Sequence, residues 1–170
     1  MQNNLILLST IRLILLVFAQ VLIFNHLNFY GYINPLVYVL FFYWYPIREN
    51  KSLFILLSFI LGLFIDIFSD TTALHAMAAI TVAFSRPLLM RFCFGVNFEF
   101  QGFTYKNTTK VQRATFLLLL ILIQHIVYFS FEILSFSHLL LILKKILFTA
   151  IVTFLFSILL SSLFATDQDI

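Results

Sequence analysis

Residues 51–76 read KSLFILLSFILGLFIDIFSDTTALHA. Between Lys51 and Asp66 no residue is charged, and only Ser52 and Ser58 interrupt the apolar run. The run does not alternate, so it is not a half-buried strand. A helix rises about 1.5 Å per residue, so a run of this length approaches the roughly 30 Å of a bilayer's hydrocarbon core. Backbone polar groups find no water there, so a spanning segment is a helix or part of a closed barrel. An unbroken run too long for a barrel strand selects the helix.

Outward from this stretch the same pattern recurs. The sequence predicts an all-α integral membrane protein forming one domain, residues 1–170, of six transmembrane helices. The spans lie at about 5–24, 29–46, 52–68, 72–90, 114–134 and 139–164. Residues 91–113 form a polar loop. The second span is the shortest in unbroken apolar length, because Pro35 and Pro46 bracket it. It reaches a crossing length only with Phe29–Asn34 included and Pro35 as a kink. Tyr43, Trp44 and Tyr45 suit an interfacial belt at its far end.

Composition agrees. Of 170 residues, 62% are hydrophobic and 10% charged, with a mean hydropathy of +1.06. An average soluble domain is about 25% charged, and a soluble fold of this size could not hide so much apolar surface. The 23 Phe suit hydrocarbon, while the 7 Tyr and 1 Trp suit its edges. The net charge of +3 does not describe a nucleic-acid face, because the cations are scattered between spans. Cys93 is the only cysteine, so no intrachain disulfide can form. Met1-Gln2-Asn3-Asn4 lacks a positive n-region and no A-x-A site follows, so the first span reads as retained.

The cations set the expected orientation. With the N-terminus in the cytoplasm, Arg12, Arg48, Lys51, Arg86, Arg91, Lys106, Lys110 and Arg113 fall on or near the inside. Only Lys144 and Lys145 lie near the outside. The positive-inside rule then puts both termini in the cytoplasm. In the loop, Phe92, Phe94, Val96, Phe98 and Phe100 alternate with polar or small residues. A short hairpin and an aromatic loop lying in the interface both fit that period of two.

Three stretches carry a family resemblance. Residues 12–35 read RLILLVFAQVLIFNHLNFYGYINP, with Gln20, Asn25, Asn28, Gly31, Tyr32, Ile33, Asn34 and Pro35 at the distinctive positions. Residues 62–76 hold Gly62, Asp66, Asp70, Thr71, His75 and Ala76, and Arg86-Pro87 closes the stretch. Residues 124–136 add His125, Phe129, Glu132 and Phe136 more weakly. In order and spacing these resemble the MreD family of rod shape-determining proteins, over nearly the whole chain. Ala73 departs from the pattern, which usually has Gly there. The resemblance implies a six-helix fold similar to the substrate-binding subunits of ECF-type vitamin transporters. It also implies a role in the elongation complex, or elongasome, of lateral peptidoglycan synthesis and cell shape. The partners it implies are an MreC-like single-span periplasmic protein, a RodA-type glycosyltransferase and a penicillin-binding transpeptidase. No cofactor is implied, and a homo-oligomer stays open.

Ionisable groups inside spans are costly and usually face protein, so each is a candidate for structure or partner contact. Asp66 lies roughly 22 Å along a helix from Lys51, in the outer half, with His75, Glu132, Lys144 and Lys145. Asp66 or Glu132 is expected to pair with Lys144 or Lys145, the plain alternative being lysines that snorkel to the headgroups. His125 and Glu132 share a helix face and suit a polar seam. Gly62 shares a face with Asp66 and suits close helix packing. Arg86 reads as a cytoplasmic snorkeller, and Arg12 either as another or as a sign that the first span starts later. With Gln20, Asn34 and Pro35, these complete the candidate contact residues.

No nucleophile–base pair, His-x-x-x-His or second deep aspartate is present, so the residues read against an enzyme, and the resemblance implies a non-enzymatic scaffold. The rival reading is a small-molecule-binding subunit of a transporter, which needs a polar pocket near mid-membrane. Mid-span residues here are mostly Phe, Leu and Ile, with His125 the main exception.

Overall fold

The computed structural model describes residues 2–27, 33–47, 50–95, 108–133 and 139–163. Among them the regular structure is entirely helical: α1 (Gln2–Leu22), α2 (Leu40–Trp44), α3 (Lys51–Ser69), α4 (Leu74–Phe94), α5 (Lys110–Ile133) and α6 (Leu139–Leu163), with 3-10 turns at Phe24–His26 and Val37–Val39. Five of these helical stretches are long and apolar enough to cross a membrane: Leu7–His26, Lys51–Ser69, Leu74–Phe94, Lys110–Ile133 and Leu139–Leu163. Asn28, Gly31, Tyr32, Phe136 and loop residues 96–107 lie outside the described residues.

The second predicted span is not a long helix. Its described part is a 3-10 turn running into the five residues of α2. Tyr45 is extended (φ −62°, ψ 134°), as the residue before a proline prefers, and Pro46 ends the helix there. Val37, Tyr38, Val39, Leu40 and Phe42 are wholly enclosed by protein. The hydropathy of this segment therefore serves packing, not lipid contact.

Residue pairs along its length give the segment's direction. Near one end, the Pro35 carbonyl accepts a hydrogen bond from Gln20 Nε2 (3.0 Å). There Asn25, just past α1, also donates to Ser69 at the end of α3 (2.6 Å). At its other end the Arg12 guanidinium lies 5.7 Å from the Trp44 ring, and Tyr45 packs on Phe54 in the first turn of α3 (4.3 Å between centroids). So α1 and α3 run parallel, and residues 33–47 carry the chain back from one end of the bundle to the other. The long helices wrap this strut. α3 packs on α4, α4 on α5 and α5 on α6, while α1 packs on α3 and on the strut.

Several boundaries have local causes. Asn50 caps α3, its side chain accepting from Ser52 N–H (2.9 Å). α5 begins four residues before the expected Ala114, because Thr109 and Gln112 form a reciprocal capping box. The Thr109 hydroxyl accepts from Gln112 N–H (3.2 Å) and the Gln112 side chain from Thr109 N–H (3.0 Å). α4 runs through Pro87 to Phe94. Phe92 and Phe94 are therefore helical and on different faces, exposed and buried respectively, and the two-residue alternation does not extend over them.

Arg86 does not snorkel. It is 5% exposed, donates from Nη2 to the Tyr45 carbonyl, and sits 5.1 Å over the Phe54 ring. The extended backbone at Tyr45 supplies a carbonyl that no helix uses, and α4 presents Arg86 to it. Arg12 likewise turns inward to Trp44.

Candidate functional site: a polar cleft at one end of the bundle

The site begins with the turn between α3 and α4. α3 ends at Asp70, in the left-handed region at φ +53°, and Ala73 adopts φ +61° immediately before α4. Ala73 occupies the N-cap position and has no side-chain oxygen, so α4 cannot be capped from its own sequence. Asp66, one turn before the end of α3, does the capping instead. Its Oδ1 accepts from His75 N–H (3.0 Å) and from the Thr71 hydroxyl (2.5 Å), and its Oδ2 accepts from Ala76 N–H (2.8 Å). These amides are the second and third of the helix, the ones an N-cap side chain normally satisfies. A carboxylate there also suits the positive end of the helix dipole.

Gly62 makes the geometry reachable. A Cβ at Gly62 would lie 2.5 Å from Ala76 Cα, 2.6 Å from the His75 oxygen and 2.7 Å from Ala76 N. The first turn of α4 thus rests directly on Gly62, one helical turn below the carboxylate that caps it. The spacing of four between Gly62 and Asp66 is the spacing of one contact face.

Left-handed backbone disfavours a Cβ by roughly 1–2 kcal/mol, while glycine gains about 0.4–1 kcal/mol of unfolded-chain entropy. Ala73→Gly is therefore expected to stabilise the protein slightly, by up to about 1 kcal/mol. Thermal melting in detergent checks it, and a lowered midpoint would contradict the expectation.

His75 is buried, its Nδ1 3.1 Å from the Tyr38 hydroxyl and its ring 4.7 Å from that of Tyr128. Below it, His125 Nδ1 meets the Ile121 carbonyl (2.8 Å), which can only accept. In the neutral ring Nδ1 is then the donor and Nε2 accepts from the Thr153 hydroxyl (3.2 Å). The Thr153 oxygen itself accepts the Leu36 N–H (3.0 Å). His125 and Thr153 thereby anchor the start of the strut to α5 and α6.

Above this floor opens a cleft of about 510 Å³. Its polar lining comes from Asn25, His26, Asn34, Ser69, Thr71, His75, Tyr128, Glu132 and Lys145. Gln20 is buried beneath it and donates to Asn25 Oδ1 (2.8 Å) as well as to Pro35. Asn34, with its amide nitrogen as donor, reaches the carbonyls of Ile33 (3.2 Å) and Leu27 (3.3 Å).

Of the expected acid–lysine pairings, the structure contains Lys145–Glu132 at 2.9 Å, with side chains 23% and 32% exposed. Lys145 also lies 5.5 Å from the Phe129 ring. Among the described residues Asp66 has no lysine partner; its oxygens accept from Thr71 and from the first turn of α4, and Lys144 is exposed. A partly exposed pair is worth about 0.2–1 kcal/mol. Lys145→Glu is expected to lose that and add carboxylate repulsion, and Glu132→Lys in the same chain to restore the wild-type melting point. Equal melting of all three proteins would show that the pair contributes nothing.

The cleft gathers Asn34, His75, Glu132 and Lys145, with Gln20, Pro35, Gly62 and Asp66 supporting it. Lys144 and Arg86 stand apart from it, Arg86 toward the other end of the bundle, and His125 lies in the core below. Sequence reasoning passes over Tyr38, Tyr128 and Thr153. A signal for Thr153 exists: Thr149, Thr153 and Ser157 recur every four residues on an apolar helix, all three fully buried.

Fold and site together define the class: a helical protein with five helices long and apolar enough to cross a membrane and a polar cleft at one end of the bundle. No protein-family model matches the chain, and no curated protein or solved structure is significantly similar to it.

Proposed function

We propose that this chain is a non-enzymatic scaffold of the MreD kind, holding an MreC-like single-span protein against the glycosyltransferase and transpeptidase of lateral cell-wall growth. One observation carries the proposal. The three stretches that resemble the family are far apart in sequence, yet their distinctive residues meet around one cleft: Gln20, Asn25, Asn34 and Pro35 from the first, Asp66, Thr71 and His75 from the second, Phe129 and Glu132 from the third. The deepest carboxylate, Asp66, spends its oxygens on capping a helix. A signature spent on architecture suits a protein whose product is an assembly. In this proposal the chain crosses the bacterial inner membrane six times, by five long helices and the 33–47 strut, with both termini in the cytoplasm.

Affinity purification with chemical crosslinking on native membranes tests it. The expected result is recovery of a single-span protein with a periplasmic coiled coil, and rounding of rod-shaped cells on depletion. Rods that persist on depletion, with no such partner recovered, would overturn it. The cleft itself favours a second reading, a small-molecule-binding subunit of a transporter, for which a water-soluble compound retained one per chain would be the decisive finding.

A further inference from the structure

The cleft's chemistry is more specific than its polarity. Besides the exposed His26, its lining carries one acid and one lysine, Glu132 and Lys145, already in contact at 2.9 Å and partly exposed. A ligand with a single charge would engage one of them and strand the other. A ligand with both charges replaces one solvent-weakened pair with two.

The floor is neutral and partly spent. Ser69 Oγ accepts from Asn25, which leaves its hydroxyl proton to donate. The Thr71 hydroxyl donates to Asp66, which leaves its lone pairs to accept. His75 is only 3% exposed and lines the cleft; its Nδ1 faces Tyr38, leaving Nε2 as the ring nitrogen for an occupant. Such a set suits phosphate oxygens beside N–H donors. The volume lies within the range of small-ligand sites.

Part of the lining is apolar. Leu22 and Phe68 line it and are 64% and 61% exposed on the outside of the bundle, at the ends of two apolar helices. These two side chains give the cleft an apolar, exposed edge.

We propose that this cleft binds the headgroup of a zwitterionic phospholipid bearing a primary ammonium, of the phosphatidylethanolamine type, with phosphate toward Lys145, ammonium toward Glu132 and acyl chains leaving over Leu22 and Phe68. The carboxylate selects an ammonium with N–H donors over a quaternary one, which has none. The inference stands apart from the scaffold proposal and holds for either orientation in the membrane.

Native mass spectrometry and thermal melting of the full, delipidated chain in detergent test it. The additions are phosphatidylethanolamine, phosphatidylcholine and phosphatidylglycerol with identical acyl chains, and soluble phosphoethanolamine. The expected result is one phosphatidylethanolamine retained per chain, at least tenfold in preference to the other two lipids, with a raised melting point. Soluble phosphoethanolamine is expected to do neither. The double variant Glu132→Gln, Lys145→Met is expected to abolish the preference while melting near wild type without lipid. Should that variant fold poorly, a photoreactive phosphatidylethanolamine headgroup on the wild-type chain is expected to label peptides containing Glu132 or Lys145. Equal retention of the three lipids, preference for the anionic one, labelling elsewhere, or stabilisation by soluble phosphoethanolamine equal to that by the lipid would each overturn the proposal.

Discussion

Gly62→Ala is expected to cost about 3–5 kcal/mol, combining overpacking with the loss of a cap. The added methyl would meet backbone atoms of His75 and Ala76 at 2.5–2.7 Å, and backbone cannot rotate away as a side chain can. α3 and α4 must separate, and separation also draws Asp66 off the amides it caps. Two stabilising features fail together, so the cost exceeds an ordinary overpacked contact. Gly95→Ala is the control. Gly95 has positive φ (+72°, ψ −171°), a region essentially only glycine adopts, but a methyl added there would meet nothing within 4 Å, so only the local conformational cost of about 1–3 kcal/mol applies. Heating both variants in detergent and measuring the monodisperse fraction by size exclusion distinguishes them. Equal midpoints would mean that α4 does not rest on Gly62 as described.

The second large effect is at Asp66. Asp66→Ala leaves the His75 and Ala76 amides without their acceptor, at about 1–3 kcal/mol for each buried unsatisfied group. A total near 3–5 kcal/mol follows. Asp66→Asn keeps one carboxamide oxygen and loses the charge, so an intermediate loss of about 1–2 kcal/mol is expected. Hydrogen exchange gives the local signature: amides 75 and 76 should exchange faster in both variants, with α6 little changed in Asp66→Asn. Protection at those amides unaltered in Asp66→Ala would show that another group caps α4.

Much of the fold is legible in the sequence because hydropathy is a local property. The five long helices follow from continuous apolar runs, and the closeness of Gly62 and Asp66 to α4 follows from their shared helix face. Residues 33–47 are not legible in the same way. A Val-Tyr-Val-Leu-Phe-Phe-Tyr-Trp sequence is equally greasy whether it faces lipid or protein, and only the surrounding helices decide. Arg86 misleads for a related reason: charge near a span's end suggests a headgroup, but the extended carbonyl at Tyr45 that receives it depends on Pro46 in another segment. The early start of α5 is readable, since Thr109-Lys110-Val111-Gln112 is a capping-box pattern that the apolar run obscures. The Glu132–Lys145 pairing rests on how closely α5 and α6 approach, which their sequences do not state.

The enclosed strut also bears on biogenesis. A segment this short partitions poorly into lipid as an independent unit, and the Leu36 amide at its start finds its acceptor on Thr153, more than a hundred residues downstream. During synthesis from the N-terminus α1, α4 and α5 can enclose most of the segment first, but the Leu36 amide must wait for its acceptor until the last helix leaves the ribosome. Chains truncated before Thr153 would leave that amide without its acceptor, so assembly of the strut is completed only at the final helix.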